Sequence, residues 1–476
     1  MQKILEEIIV NLDETESRSW CEEEWAEIEI GDKRLNERAK EIATKMSSQP
    51  TMPLNQACED WAETKAAYRL FENEKVTAKK IREPHQLKTK ERMKIYELVL
   101  VPQDTSLLNY TSHEKTEGLG PIGTKSQKLK GLVSHNALAM TTEGMPLGVL
   151  SQEIWARTEA EREMTKAEKQ KRPIEEKESY KWIVGLRETA KYTPEGVQAI
   201  SICDAEADIY DLFVEADKLE IGLLVRAAQN RLLMDNQDLK LWQQVEQEKI
   251  SGYLTVEVPA RNGEPARKAT VSVRFKQSVQ PKPPPHLKDN PIKLSAVLVQ
   301  EIDPPPNVTP VIWRLLSDVV VISYADALER INWYCKRWQI EVYHKVLKSG
   351  CTVENCRLQT SDRLMPYLAL SSIIAWRLFW MTHLNRQSPD IPCTAFLSEH
   401  EWRALYAVIH KTILLPKTVP TVRQAVHWIA QLGGFLARKH DNQPGPTVLW
   451  RGWHRLHDIA NTWLLFQRSL SKMVYI

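Results

Sequence analysis

The spacing of apolar and polar positions changes several times along this chain, and each change predicts a change of element. Up to about residue 75 the pattern is helical. Arg34 and Arg38 lie four apart on one face of a helix that continues through Ile42 and Met46, and the stretch 47–53, with two prolines, breaks it. A further helix carries Trp61, Lys65, Tyr68, Arg69 and Phe71. The middle of the chain alternates strands with helices. The apolar run 98–101 reads as a strand, with Asp104 at its end; 132–140 and 145–150 read as a hairpin about the turn 141–144. A charged helical stretch over 158–192 is interrupted near Pro173. A strand over 198–203 stops at Asp204, a helix passes through 209–213, and a strand follows at 221–226.

Residues from about 228 to 318 interrupt that alternation. The segments 251–258 and 268–275 alternate at period two on either side of the loop 260–265, which predicts a hairpin, and 294–301 reads as another strand. Ser323-Tyr-Ala-Asp326 has the form of a capping box opening a long helix that Gly350 can close. From about 368 onward the pattern is of amphipathic helices rich in Trp and Leu, which can pack within one chain or against another.

Composition narrows the class. With 476 residues the chain has room for two to four domains, and 42% hydrophobic with 26% charged residues is ordinary for a globular protein. The start reads as an acidic helix, not a leader, and with no long apolar run neither export nor a membrane span is expected. Seven cysteines without a repeating framework suit a reducing cytosol, and the isolated Cys351–Cys356 pair lacks the four ligands of a zinc site. The net charge of +2 hides an uneven distribution: residues 1–30 hold ten acids, whereas 79–94 is a basic run. Local patches rather than totals set phosphate affinity.

The densest chemistry lies in Tyr334-Cys-Lys-Arg337-Trp-Gln-Ile-Glu341-Val-Tyr-His-Lys-Val-Leu-Lys348. On one helix, Tyr334, Arg337, Glu341 and Lys348 fall within an arc of about 60°. A carboxylate flanked by cations suits metal-dependent phosphodiester chemistry, the acid holding Mg²⁺ and the cations holding phosphate. Taken alone, the same face is equally a solvated one laced with i,i+4 pairs. Asp104 and Asp204 tip the balance, because an acid at the end of a buried strand is costly to desolvate unless paired or metal-bound. The acids are separated by 100 and 137 residues, so no local role links them. A shared site for two Mg²⁺ ions about 3.5–4 Å apart does.

These blocks, in this order, resemble the DDE transposases of bacterial cut-and-paste elements, in the insertion-sequence-four family and its Tn-five-type branch. Tyr334, Arg337, Glu341 and Lys348 match its signature Tyr-x2-Arg-x3-Glu-x6-Lys. Asp104-Thr-Ser and Cys203-Asp204-Ala-Glu-Ala-Asp208 resemble its first two acid blocks. Glu176-Lys-Glu-Ser179 with Lys181-Trp182, and Leu432-Gly-Gly-Phe435, are also similar. The resemblance implies an α/β fold, a ribonuclease-H-like catalytic core with an inserted β-subdomain, flanked by helical N- and C-terminal domains. The implied bounds are 1–75 for binding of transposon ends, 76–367 for catalysis with the insertion at about 228–318, and 368–476 for dimerisation. It implies Asp104, Asp204 and Glu341 as catalytic metal ligands for two Mg²⁺ ions, with Mn²⁺ able to substitute. It places Tyr334, Arg337 and Lys348 on DNA near the cleavage point and stacks Trp313 on a flipped base. Arg226 and Arg231 would contact DNA beside the core, and Arg34, Arg38 and Arg69 would read the element's ends. The implied partners are double-stranded DNA, as terminal inverted repeats and target, and a second copy of the chain in a synaptic complex within the bacterial cytosol. The implied reaction nicks the element end, forms and reopens a hairpin, and joins the freed 3′-OH to target DNA.

Two other readings fit the residues. One is a stand-alone metal-dependent nuclease of the same fold; the other is a non-catalytic protein that occupies element ends as an inhibitor of transposition. The terminal blocks weigh against the first and the presence of all three acids against the second.

Overall fold

The computed structural model describes residues 20–473, apart from 59, 236–237, 259, 261–264 and 440 and the side chains of 166, 170 and 466–473. The acidic helix expected at the N-terminus and the turn expected at 261–264 lie outside the described residues. The architecture is mixed α/β. Its strands are β1 (Leu98–Asn109), β2 (Gly120–Ile122), β3 (Leu129–Met140), β4 (Pro146–Trp155), β5 (Gln198–Cys203), β6 (Gly222–Arg226), β7 (Gly252–Val258), β8 (Arg267–Val279), β9 (Leu294–Glu301) and β10 (Ile312–Ser317). They form one sheet in the order β3-β1-β5-β6-β10-β9-β8-β7, with β2 and β4 both pairing the outer edge of β3. β1, β5 and β6 are mutually parallel and the remaining pairs antiparallel. The hairpin β7–β8 and strand β9 therefore extend the central sheet through β10, which pairs β6. The expected insertion is continuous with the core rather than a separate lobe.

Period-two alternation sorts each central strand between two cores. Leu100, Ile200, Ile202 and Leu224 join the core on one face; Val99, Val101, Ala199, Cys203, Leu223 and Val225 join the core on the other. Burial on both faces is why these strands read as nearly continuous apolar runs.

The N-terminal region is helical: α1 (Trp20–Glu24), α2 (Lys33–Ser48), α3 (Trp61–Glu72) and α4 (Ala78–Met93). Asp32 caps α2 and Asp60 caps α3, each carboxylate accepting a backbone N–H of the first turn. One face of the sheet is covered by α5 (Tyr180–Tyr192) and α6 (Tyr210–Leu219), with α7 (Leu241–Gln247) farther along. The other carries α8 (Tyr324–Lys336), α9 (Trp338–Lys345) and α10 (Ser361–Gln387), followed by α11 (Glu399–His410), α12 (Val422–Leu432) and α13 (Pro446–Met473). Helix α10 is long and apolar enough to cross a membrane by length and composition, but it is apolar on all sides because it is buried as the central helix of that core.

Two expectations need correction. Strand β1 does not stop at residue 101. It runs on past Pro102 to Asn109, pairing β5 up to Pro102 and β3 from Gln103 onward, so Asp104 sits mid-strand where the β5 partner ends. The long helix expected from Ser323 to Gly350 opens on the expected capping box, with Ser323 and Asp326 bonding each other's backbone N–H. It then has a turn residue at Arg337 and ends in a π-turn at Val346–Gly350, where Cys351 N–H donates to Val346 O at 2.9 Å. The Trp450 ring of α13 packs on Gly350, where a Cβ would fall 3.0 Å from ring carbon Cε3, so glycine admits the ring. Helix α13 also reaches the N-terminal region, Trp453 Nε1–H donating to Ser47 O at 3.2 Å.

Candidate active site

The parallel register of β1 and β5 pairs Leu98 with Gln198 and Pro102 with Ile202, an offset of 100. Carried two residues on, that offset sets Asp104 beside Asp204. Both acids share parity with Leu100 and Ile202 and so face the α9 side of the sheet. Asp104 is also the register partner of Asn136 on β3. Three oxygen-bearing side chains thus stand on adjacent strands along one face. Asp204 additionally caps the turn that follows β5, accepting Glu206 N–H at 2.8 Å.

Glu341 comes to this face from α9. Arg337 Nη2 donates to Glu341 Oε1 at 2.6 Å, and its Nη1 lies 3.9 Å from Asp104 Oδ2. The guanidinium therefore stands between two of the three acids. His344, one turn on, is buried; its Nδ1 is 3.8 Å from Asp104 Oδ2 and its Nε2 3.0 Å from Asn136 Nδ2. Burial, with the charges of Lys348 and Arg337, pushes the His344 imidazole down to about 3, so it is neutral and its contact with Asp104 is dipolar. Burial pushes the Asp104 carboxyl up to about 6, with Asp204 and Glu341 adding to the rise and the Thr105 N–H and Arg337 opposing it. Asp204 is raised by the same desolvation, with Glu206 adding to it. These carboxylates lack sufficient positive partners. That is the condition a divalent cation relieves, and the available donors are hard oxygens of the kind Mg²⁺ takes. The residues fit such an ion by chemistry. Among the described residues, however, no three His, Cys, Asp or Glu side chains converge so that they could hold a metal ion, and Glu341 is bonded to Arg337.

The opposite face holds this geometry. Gln103 and Thr105, flanking Asp104, point toward α5 together with His135 and Ser201. Thr105 Oγ1 lies 2.9 Å from His135 Nδ1, His135 Nε2 3.0 Å from Gln103 Oε1, and Gln103 Nε2 donates to Ser201 Oγ at 2.8 Å. The chain of donors fixes the tautomer: the Gln103 oxygen requires His135 Nε2–H, leaving Nδ1 to accept from Thr105. His135 and Gln103 are fully buried, and burial holds the imidazole well below its usual range. Gly185 of α5 makes the space, since a Cβ there would lie 2.2 Å from Gln103 Oε1. This polar strut ties β3, β1 and β5 in one register. A slip of one residue would turn Asp104 away from α9.

The remaining candidates fall in several places. Tyr334 is buried, 6.4 Å from the half-buried ring of Trp313 by centroids, and the Arg337 guanidinium lies 6.0 Å above it. Lys348, on the π-turn, donates to Leu107 O at 2.8 Å and pairs with Glu354 at 3.4 Å, which places it beside β1 beyond Asp104. Arg226, at the end of β6, is exposed. Arg231 is not: its guanidinium pairs with buried Asp208 at 2.5 Å, and the same carboxylate accepts the N–H groups of Ala228 and Gln229. Arg231 is thus held in an ion pair with Asp208, which also anchors the loop after β6. Arg34 and Arg38 line one shallow depression on α2, Arg38 pairing with Glu41 at 3.3 Å, while Arg69 is exposed on α3.

Sequence reading passed over four residues here. Lys181 is buried at the C-terminal end of β5, 3.2 Å from Glu206 and 3.6 Å from Glu178. Trp338 is 61% exposed, between Arg337 and Glu341, where a buried role is excluded. His135 and Asn136 interrupt the apolar run 132–140 with consecutive polar residues, and that interruption was the available signal.

Comparison with known families gives two matches. Residues 17–76 match the family described as Transposase DNA-binding, and residues 373–472 match the one described as Transposase Tn5 dimerisation domain. The first spans α1 through α3, with Arg34, Arg38 and Arg69; the second begins inside α10 and takes in α11, α12 and α13.

Proposed function

Since this chain is a Tn5-type transposase, carrying that type's DNA-binding and dimerisation domains at its two ends, we propose that residues 76–367 between them cut and rejoin DNA as a ribonuclease-H-like core of the insertion-sequence-four kind. The supporting topology is the antiparallel group β4-β3-β1 joined to parallel β5 and β6. The observation that carries the reading is the β1–β5 register, which sets Asp104 beside Asp204 on the face that α9 crosses with Glu341.

In this reading Asp104, Asp204 and Glu341 hold two Mg²⁺ ions, or Mn²⁺ in their place, and the bound metal would supply the charge that activates water or a 3′-OH and stabilises the leaving oxygen. The protein's own contribution is positional. The Gln103–His135–Ser201 strut keeps Asp104 and Asp204 level. Neutral His344 directs a dipole, not a charge, at Asp104, so it does not compete for the carboxylate. Arg337 neutralises Glu341 before substrate arrives; once released from that acid, its fork suits a phosphate of the scissile strand. Lys348 supplies a point charge farther along β1. Trp313 and exposed Trp338 offer aromatic surface for a base drawn out of the duplex, and stacking of this kind is worth ~1–3 kcal/mol. The α2–α3 region would hold the element's inverted repeats through Arg34, Arg38 and Arg69, and the helices after α10 would pair two copies across the synapsed ends. The products expected are a nicked end, a hairpin, and finally an element joined to target DNA in the bacterial cytosol.

The test is Mg²⁺-dependent nicking of DNA carrying the flanking inverted repeats, with Glu341→Gln beside wild type. Nicking should require the metal and vanish in the variant while end binding in gel shifts persists. Nicking at the wild-type rate in the variant would remove Glu341 from the site. Strand-transfer products from wild type separate a transposase from a nuclease that stops at cleavage.

A further inference from the structure

We propose that the basic tip at residues 125–130, where β2 turns into β3, grips the phosphate backbone of the duplex that passes the three acids. The inference rests on the reading that Asp104, Asp204 and Glu341 act on DNA. Lys125, Lys128 and Lys130 are all exposed, and among the described residues none of the three pairs with an acid. Three such cations within six residues form a local positive patch, which is a phosphate surface or a solvated turn. Direction and rigidity decide between the two.

Lys130 shares the parity of Leu132 and Asn136 on β3, whose register partners Leu108 and Asp104 face the α9 side of the sheet. It lies six residues from Asn136, so about 20 Å of strand separates it from the level of Asp104. Lys348 falls between them, its Nζ donating to Leu107 O at 2.8 Å. Asp104, Lys348 and Lys130 thus follow one another along a single face, over the length of about six base pairs. Glu354, the acid that meets this line, is already engaged, accepting Asn109 N–H at 2.7 Å and pairing with Lys348 at 3.4 Å.

The tip is also held. Lys130 N–H donates to Thr111 Oγ1 at 2.9 Å and Lys130 O accepts Tyr110 N–H at 2.9 Å, which fastens the start of β3 to the end of β1. Thr124 N–H donates to Gln127 Oε1 at 2.9 Å and closes the turn. Lys128 then takes a φ of 50°, the left-handed region where glycine or asparagine is the cheaper residue. A turn that only reversed the chain would carry one of those. Here the position carries a cation, and cations on a fixed backbone lose less freedom when phosphate binds.

The experiment is fluorescence anisotropy of the full chain over a salt series on three labelled duplexes: the inverted repeat alone, the repeat with its flanking sequence, and an unrelated duplex. Lys125, Lys128 and Lys130 are changed together to Gln and, in a second protein, together to Arg, with a melting curve for each. A control changes exposed Lys282, Lys288 and Lys293 to Gln; these lie in a loop whose Leu287 and Ile292 pack on the α5 side of the sheet. Loss of three phosphate contacts should lower the salt slope by about two to three, roughly 0.9 for each, and the Arg protein should keep the wild-type slope. A fall already present on the repeat alone assigns the tip to the element, a fall that needs the flank assigns it to flanking DNA, and a fall on the unrelated duplex alone assigns it to target. An unchanged slope on all three duplexes, or an equal fall in the control, overturns the inference. Mg²⁺-dependent cleavage by wild type and Glu341→Gln is followed alongside. If Glu341→Gln loses cleavage while the tip variant keeps its slope, this inference fails alone. If Glu341→Gln cleaves as wild type does, the acid site fails and a tip that serves it falls too.

Discussion

On the α5 side of the central sheet, Thr105, His135, Gln103 and Ser201 pass hydrogen bonds along an unbroken chain, each donor meeting an acceptor. On the α9 side, a few ångströms away through the same strands, Asp104 is raised to about 6, Asn136 keeps an unpartnered oxygen, and one guanidinium stands between two acids. The same backbone carries both sets, alternating residue by residue. A polar group buried in a sheet core persists most readily when satisfied, and the Thr105–His135–Gln103–Ser201 chain is satisfied along its length. On the second, buried carboxylates and one guanidinium meet with less compensation, and the proposed function places the chemistry there.

The largest expected effect falls on the unfinished face. Asp104→Ala or Asp204→Ala should lower Mg²⁺-dependent cleavage by about three orders of magnitude or more, ~4 kcal/mol of barrier, while gel shifts on end DNA stay unchanged. A variant that cleaves within tenfold of wild type would show that its acid belongs to the scaffold. Next in size is a pH effect in metal-free protein. The Asp104 carboxyl titrates near 6 folded against about 3.9 unfolded, so the native state holds its proton more tightly. The stability this confers is complete below about pH 4 and lost as pH rises through about 6. Relative to Asp104→Asn, wild type should therefore lose on the order of 3 kcal/mol across that window in urea unfolding. A constant difference between the two proteins would mean the carboxyl is already compensated.

The finished face predicts the reverse profile. Gln103→Leu removes the partner of the buried His135 Nε2–H and one donor to Ser201, and should cost ~1–3 kcal/mol of stability by denaturant unfolding. Its metal-free pH dependence should stay that of wild type, because no charge on the α9 side has changed. Smallest in energy, and distant from both faces, is the change at the DNA-binding end. Replacing Arg34, Arg38 and Arg69 together with Ala should reduce the salt slope of end binding by roughly 0.9 for each phosphate no longer neutralised. An unchanged slope would place recognition elsewhere.

How much of this was legible in the sequence depends on the range of the interactions involved. The apolar run 294–301 located β9 to the residue, and the Ser323–Asp326 capping box was readable because its bonds span three residues. The interval of 100 between Asp104 and Asp204 is the register of two parallel strands, which a sequence can hint at but not state. Pro102 misleads: it reads as a strand end, yet β1 changes partner there from β5 to β3 and continues. The Arg231–Asp208 pair and the packing of Trp450 on Gly350 were invisible because each joins residues whose spacing carries no pattern.

The central claim is that Asp104, Asp204 and Glu341 on the α9 face hold divalent metal. An anomalous-scattering map from crystals grown with Mn²⁺ tests it most directly. The account predicts peaks against Asp104, Asp204 and Glu341, with Arg337 turned away from Glu341. A map with no peak at these acids, and with Arg337 still bonded to Glu341 at saturating Mn²⁺, would contradict it.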